Sequence, residues 1–281
     1  AYIPQEWKIH RITPIFKSGD RTLVKNYRPI SLLCIVSKIL ERIIFDKMYD
    51  HVTSLTICSR QFGFLRGRST LQQLLVHLHS IVNSLSSGLQ SDVIYLDIKK
   101  AFDSVSHDIL LTKLWSAGLC GLNWQFFVAY LYGRLQCVSV GNRVSSLLPV
   151  TSGVPQGSIL GPLLFILYIN DLPMSPLHSS LLLFADDSKC HRVIKSTRDC
   201  QLLQSDLGLL SNWSETTGLT FNSEKSCVIS YHLPRSAPVN FNYTLEGKPI
   251  AHRSTYKDLG VVFSNSLSWS TQVDSVLQKA Y

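Results

Sequence analysis

The chain has 281 residues, 45% of them hydrophobic and 16% charged, which excludes a disordered protein and allows a large core in one or two domains. Its 27 Lys+Arg against 19 Asp+Glu leave a formal charge of +8, a balance suited to a polyanionic partner. No apolar run reaches the ~18 residues of a membrane span, and seven scattered cysteines without a CxxC pair argue for reduced thiols over a zinc site or disulfide frame.

Taken in order, residues 1–28 are basic: Lys8, Arg11, Lys17, Arg21, Lys25 and Arg28 stand against Glu6 and Asp20. The opening stretch has no uninterrupted apolar signal region, and a start at Ala1 reads as a piece of something longer. In SLLCIVSKILERIIFDKM, Leu32, Ile35, Val36, Ile39, Leu40, Ile43 and Ile44 recur at helical spacing, with Ser31 placed as cap. In STLQQLLVHLHSIVNSL, Leu71, Leu74, Leu75, Leu78, Ile81, Val82 and Leu85 predict a second helix, with Gly88 at its end. His77 and His79 flank that stripe and read as surface or groove histidines, not ligands.

DVIYLDI is a strand by its β-branched and aromatic content. Helices over 106–117, ended by Gly118, and over 123–132 follow it. RLQCVSVGNRVSSLLPV reads as a hairpin turning at Gly141-Asn142. Next come a helix over 158–172, a strand–turn–strand in LLLFADDSKC, and an amphipathic helix over 199–217 with Gly218 behind it. CVISY, FNYTLEGKPI and YKDLGVVF are strand-rich, and the mixture without regular βαβ alternation indicates an α+β domain.

Two of these strands end in acid. A bare Asp186-Asp187 pair has two readings: a solvated turn that ends a strand, or hard oxygen ligands for Mg²⁺. DVIYLDIKKAFDSV repeats the design with Asp97, so two neighbouring strand ends could bring three carboxylates to two ions ~4 Å apart.

ITPIFKSGD, NYRPISLL, QFGFLRGRST, YLDIKKAFDSV, SGVPQGSILGPLLF, FADD, TGLTFNSEKS and YKDLGVVF occur in that order. Together they resemble the reverse transcriptase domain of non-LTR (LINE-like) retrotransposons, with group II intron enzymes as more distant relatives. The resemblance covers nearly the whole chain. It implies right-hand polymerase fingers over 1–90 and a palm over 91–262, with a fingers-side insertion around 104–150. The palm would be an antiparallel sheet backed by helices, and a thumb only begins at 263–281.

The resemblance implies a retrotransposon-encoded RNA-directed DNA polymerase, a nucleotidyltransferase that adds dNTPs to a primer 3′-OH by two-metal phosphoryl transfer. Two Mg²⁺ ions, or Mn²⁺ in their place, would be held by Asp97, Asp186, Asp187 and the Ile98 carbonyl. Lys225 matches the general acid for the leaving pyrophosphate, and Phe102 the steric gate against a ribose 2′-OH. Gln156 matches a contact to the incoming nucleotide and template, while Gly153 and Gly157 let backbone approach the substrate. Lys17, Arg28 and Arg66 are the candidates for phosphate contact, and Leu259 and Gly260 match the primer grip. Asp103 reads instead as a turn end or helix cap.

The partners implied are an RNA template, a DNA primer and dNTPs, with no membrane. Localisation follows only by analogy with retroelement particles, intracellular and moving between cytoplasm and nucleus. Two other functions compete. One is an inactive or co-opted relic that binds RNA without catalysis. The other is a two-metal nuclease, against which Phe102 and SGVPQG argue, because a nuclease has no use for dNTP selection.

Overall fold

The structure is a computed structural model that describes residues 2–174, 177–234 and 236–280; Ala1 and Tyr281, at the ends of the expected fingers and thumb, lie outside them. The chain opens with strands β1 (Ile9–Phe16) and β2 (Tyr27–Leu32), then helices α1 (Ile35–Leu55) and α2 (Thr70–Ser86) and strand β3 (Gln90–Leu96). Helices α3 (His107–Ser116) and α4 (Leu122–Leu131) follow, then β4 (Leu135–Val140), β5 (Arg143–Val144), β6 (Leu148–Pro149) and α5 (Leu160–Ile169). After them come β7 (Ser180–Phe184), β8 (Asp187–Ile194), α6 (Thr197–Thr217), β9 (Cys227–Tyr231), β10 (Thr244–Leu245) and β11 (Lys248–Pro249). The last are β12 (Ala251–His252), β13 (Thr255–Asp258), β14 (Val261–Ser264) and α7 (Ser270–Ala280). The class is α+β, as the mixed pattern predicts. None of the helices is long and apolar enough to cross a membrane, among the described residues.

The chain divides into two compact units, one of residues 1–57 and 100–169, the other of 58–99 and 170–281. In the first, β2, β1, β4 and β5 form a sheet in that order, with β6 also on β4. The hairpin expected at Gly141-Asn142 is present as β4–β5, and β4 also runs parallel to β1. Helix α5 is buried along nearly its whole length and is the core of this unit.

The expected cap at Ser31 is not there. Ser31 and Leu32 are drawn into the β1–β2 ladder, so α1 starts later, at Ile35. Nor does the apolar stripe of α1 face inward: Ile35, Val36, Ile39 and Ile43 remain exposed, while Ser37, Glu41, Met48 and Val52 are buried. The reason is Glu41. Its carboxylate accepts hydrogen bonds from Ile159 N (2.7 Å), Leu160 N (3.3 Å) and the Tyr130 hydroxyl (3.1 Å), so this face of α1 caps the start of α5.

The second unit is built on a five-stranded sheet of order β12-β9-β3-β8-β7, antiparallel except for the short edge strand β12. All seven residues of β3 are buried, as a central strand covered on both faces should be. Alternation sends Tyr95 and Lys189 toward α2 and Ile94 and Cys190 to the opposite face. A capping box between Ser69 and Gln72 starts α2, and Gly218 ends α6 in the left-handed region.

His77 departs from its expected place. It is fully buried on α2, 2.9 Å from the Tyr95 hydroxyl, because the face of α2 that meets the sheet is partly polar. His79 is exposed, beside Asn83.

Candidate active site

The FADD stretch is a tight hairpin. Phe184 pairs with Asp187, leaving Ala185 and Asp186 as the two turn residues between β7 and β8. Leu96 pairs with Ser188, and one further step in that register sets Asp97 against Asp187 on one face of the sheet. Opposed residues in such a ladder have Cβ atoms roughly 5 Å apart, close enough for two carboxylates to share a cation. The three aspartates therefore meet at one end of the second unit's sheet.

Their electrostatics agree with that crowding. Asp187 is exposed at the sheet end, yet desolvation by the chain around it and then the neighbouring Asp186 push its carboxyl up to about 6, with Asp258 and Asp97 adding to the rise and Lys189 opposing it. Carboxylates held this way repel one another, which a divalent cation relieves. In the observed rotamers, no three His, Cys, Asp or Glu side chains close around one point among the described residues. The donor chemistry fits a hard cation; a finished cage is absent.

The loop of residues 222–226 is laid against Asp97. Asn222 N donates to the Asp97 carbonyl (2.7 Å), Asp97 N donates to Ser226 Oγ (3.2 Å), and Lys99 N donates to the Thr220 carbonyl (2.9 Å). Ile98 and Phe221 form the bridge between those bonds, so the N–H and C=O of Ile98 point away from this loop. Lys225 rides on the loop with an exposed side chain, its Nζ 3.9 Å from Asp97 Oδ2.

Leu259 and Gly260 form the two-residue turn of the β13–β14 hairpin, both at positive φ (+46° and +93°). That hairpin is tied to the sheet by Tyr256 stacked on Tyr95 at 4.1 Å and by Asp258, which accepts from the Lys189 ammonium.

The other candidates belong to the first unit, except Arg66, which is exposed on the second. Phe102 is half-buried and stacked on Phe165, centroids 4.4 Å apart and planes 17° from parallel. Gln156 donates from Nε2 to Asp103 Oδ1 at 2.9 Å. Asp103 thus ends the turn of residues 101–103, one of its two expected places, and braces Gln156; the other, the cap of α3, is taken by Ser106. Gly157 faces chain, not open space: a Cβ there would lie 2.8 Å from the Ser31 carbonyl oxygen. Lys17 and Arg28 come together on the β1–β2 hairpin, exposed, Lys17 at its end and Arg28 opposite Ile15.

Four polar residues around the site escape the sequence reading. Lys189, Gln73 and Asp258 form a buried charged cluster, and Gln61 is fully buried against the FADD turn. One signal was legible: Lys189 has the same strand parity as Asp187. Its partners are 116 and 69 residues away, which no local pattern shows. No disulfide links the seven cysteines among the described residues.

Comparison with known proteins follows the same direction. The family model described as reverse transcriptase (RNA-dependent DNA polymerase) matches residues 15–263. The probable RNA-directed DNA polymerase from transposon BS of Drosophila melanogaster is 31% identical, over 100% of this chain and 32% of that protein. The RNA-directed DNA polymerase from mobile element jockey of the same fly is 32% identical, over 99% and 31%. The chain thus spans about a third of the length of the curated relatives it matches. Among solved structures, apo telomerase from Candida tropicalis, truncated from its C-terminal domain, shares the fold with a TM-score of 0.62. That likeness has 12% identity and covers 95% of this chain and 55% of that one.

Proposed function

Because the chain belongs to the reverse transcriptase family, we propose that it is an RNA-directed DNA polymerase domain that extends a DNA primer with dNTPs on an RNA template. The observation that carries this reading is the convergence of Asp97, Asp186 and Asp187 at one sheet end, with Lys225 beside Asp97. Reverse transcriptases generally use divalent metals. Here the three aspartates and the Ile98 carbonyl would hold two Mg²⁺ ions, with Mn²⁺ as substitute. Such cations would neutralise charge on the primer oxygen and the triphosphate.

The chain's own groups do the rest. Lys225 keeps its ammonium in solvent next to Asp97 and gives a proton to the departing pyrophosphate. The Leu259–Gly260 turn presents backbone to the primer end, since both residues are at positive φ and the turn is narrow. Phe102, seated on Phe165, blocks a 2′-OH, and Gln156, braced by Asp103, meets the nucleotide. Lys17, Arg28 and Arg66 grip phosphates without reading bases, as copying any sequence requires. Residues 1–90 act as fingers, 91–262 as palm with a fingers-side insertion around 104–150, and 263–281 as the start of a thumb.

The test is primer extension by the 281-residue chain on poly(rA)·oligo(dT) with dTTP and Mg²⁺, beside Asp186→Asn. Extension by the parent and its loss in the variant is the expected result. Equal product from both would overturn the catalytic assignment. Template binding by both with product from neither would replace it with an RNA-binding relic.

A further inference from the structure

The QFGF segment has no part in the chemistry so far, yet it is built into the carboxylate turn. Gln61 pairs with Leu183 in a parallel bridge, Phe62 N donates to the Leu183 carbonyl (2.9 Å), and Leu183 N donates to the Arg60 carbonyl (3.0 Å). The Gln61 side chain is fully buried, and its Oε1 accepts from two amides at once, Gly63 N (2.8 Å) and Ala185 N (2.9 Å). Those two donors fix which end of the amide is oxygen. Arg68 holds the segment from behind by donating to the Gln61 carbonyl at 3.1 Å.

The contact is made at the one residue of the turn that is hard to hold. Ala185 sits at φ +55°, a left-handed conformation that a residue with a Cβ adopts only when its surroundings enforce it. Gly63 lies directly against it: a Cβ at position 63 would fall 2.3 Å from Ala185 N. The turn is thus held on one side by an accepted hydrogen bond and on the other by bare backbone. Asp186 is the next turn residue and Asp187 the first of β8, so the backbone angles at Ala185 decide where both carboxylates point.

We propose that Gln61 is a positioning residue for the polymerase reaction, fixing the Ala185–Asp186 turn so that Asp186 and Asp187 face Asp97. This rests on the polymerase reading of those aspartates. The bonding requirement is specific: an oxygen acceptor at the end of a side chain of glutamine length. Glutamate supplies one, asparagine falls one methylene short, and leucine has none.

The experiment follows single-residue amide exchange at Ala185 and Gly63, together with dTTP steady-state kinetics, in Gln61→Glu, Gln61→Asn and Gln61→Leu. In the Asn and Leu variants, exchange at Ala185 should quicken by about 10-fold, the worth of one buried hydrogen bond. Amides of the β3–β8 ladder away from the turn should keep their protection. In parallel, kcat should fall by about 10²-fold with the KM for dTTP within about 2-fold, the signature of misplaced reacting groups. Gln61→Glu should keep the Ala185 protection, its carboxylate accepting from the same two amides, while the added buried charge beside the aspartates lowers kcat. Native exchange at Ala185 in Gln61→Leu overturns the proposal, as does a Leu or Asn variant with parental kcat. If Leu does not fold, the Asn and Glu variants decide by the same readings. If the parent chain extends no primer, the exchange arm still judges the turn, and it is the polymerase reading that has failed.

Discussion

Lys189 and Asp258 are 1% and 3% exposed, and their ion pair, joined by Gln73 Oε1 at 2.8 Å from the ammonium, links β8 to the β13–β14 hairpin. Replacing Lys189 by methionine keeps the volume and removes the charge. The Asp258 carboxylate is then buried alone, and Gln73 Oε1 loses its donor. Breaking one side of a buried pair costs roughly 3–5 kcal/mol, a large share of the ~5–15 kcal/mol that holds a domain together. The pair itself is no great source of stability, however. Burial lowers the Lys189 pKa and raises that of Asp258 even though each partner pulls the other way, so desolvation outweighs attraction at both ends. Lys189→Met/Asp258→Leu should therefore lie within about 1 kcal/mol of the parent, or above it. A double-mutant cycle by urea unfolding, read by circular dichroism with m-values compared, should give a coupling of at least about 5 kcal/mol, since each single variant strands one buried charge and the double strands none. A Lys189→Met cost below about 1 kcal/mol, or a double variant as unstable as the two singles summed, would refute the reasoning.

Glu41→Leu strands Ile159 N, Leu160 N and the Tyr130 hydroxyl at a buried helix start, costing roughly 3 kcal/mol, whereas Glu41→Gln keeps one acceptor and should cost about 1 kcal/mol. Thermal unfolding checks this as a drop in Tm of roughly 6–12 °C against about 2–4 °C. Acid should destabilise the protein from pH 6.5 downward. Burial, then Arg134, pushes His10 down to about 3; burial pushes His191 to about 4; and burial holds His77 well below its usual value, with Lys189 and His191 adding to the effect. All three are neutral in folded and unfolded chains above pH 6.5, so their contribution is whole there. Below it the unfolded chain takes up protons first, removing up to ~1.4 kcal/mol per pH unit for each histidine. Asp187 and Asp258, with raised values, act in the opposite sense but are outnumbered. Urea midpoints unchanged between pH 7 and 5 would contradict the sign. Phe102→Val should lower discrimination against ribonucleotides by roughly 10- to 200-fold, read from the ratio of kcat/KM for dTTP and UTP; an unchanged ratio removes the gate.

Much of this protein was legible in one dimension. The stop at Gly218, the Gly141-Asn142 hairpin and the two acid-tipped strands follow from local backbone preferences and periodicity, which act over a few residues. So did the family, since its blocks lie in order along the chain. Tertiary structure alone decided which face of α1 is inside and why His77 is buried. It also gave Lys189 its counter-charge on a strand 69 residues on, and set Gln61 against a turn 124 residues away. In each case a polar side chain is buried, and a buried polar group is stable only with a partner. Periodicity can report that a position is inside, but the partner is chosen by how distant strands and helices come together.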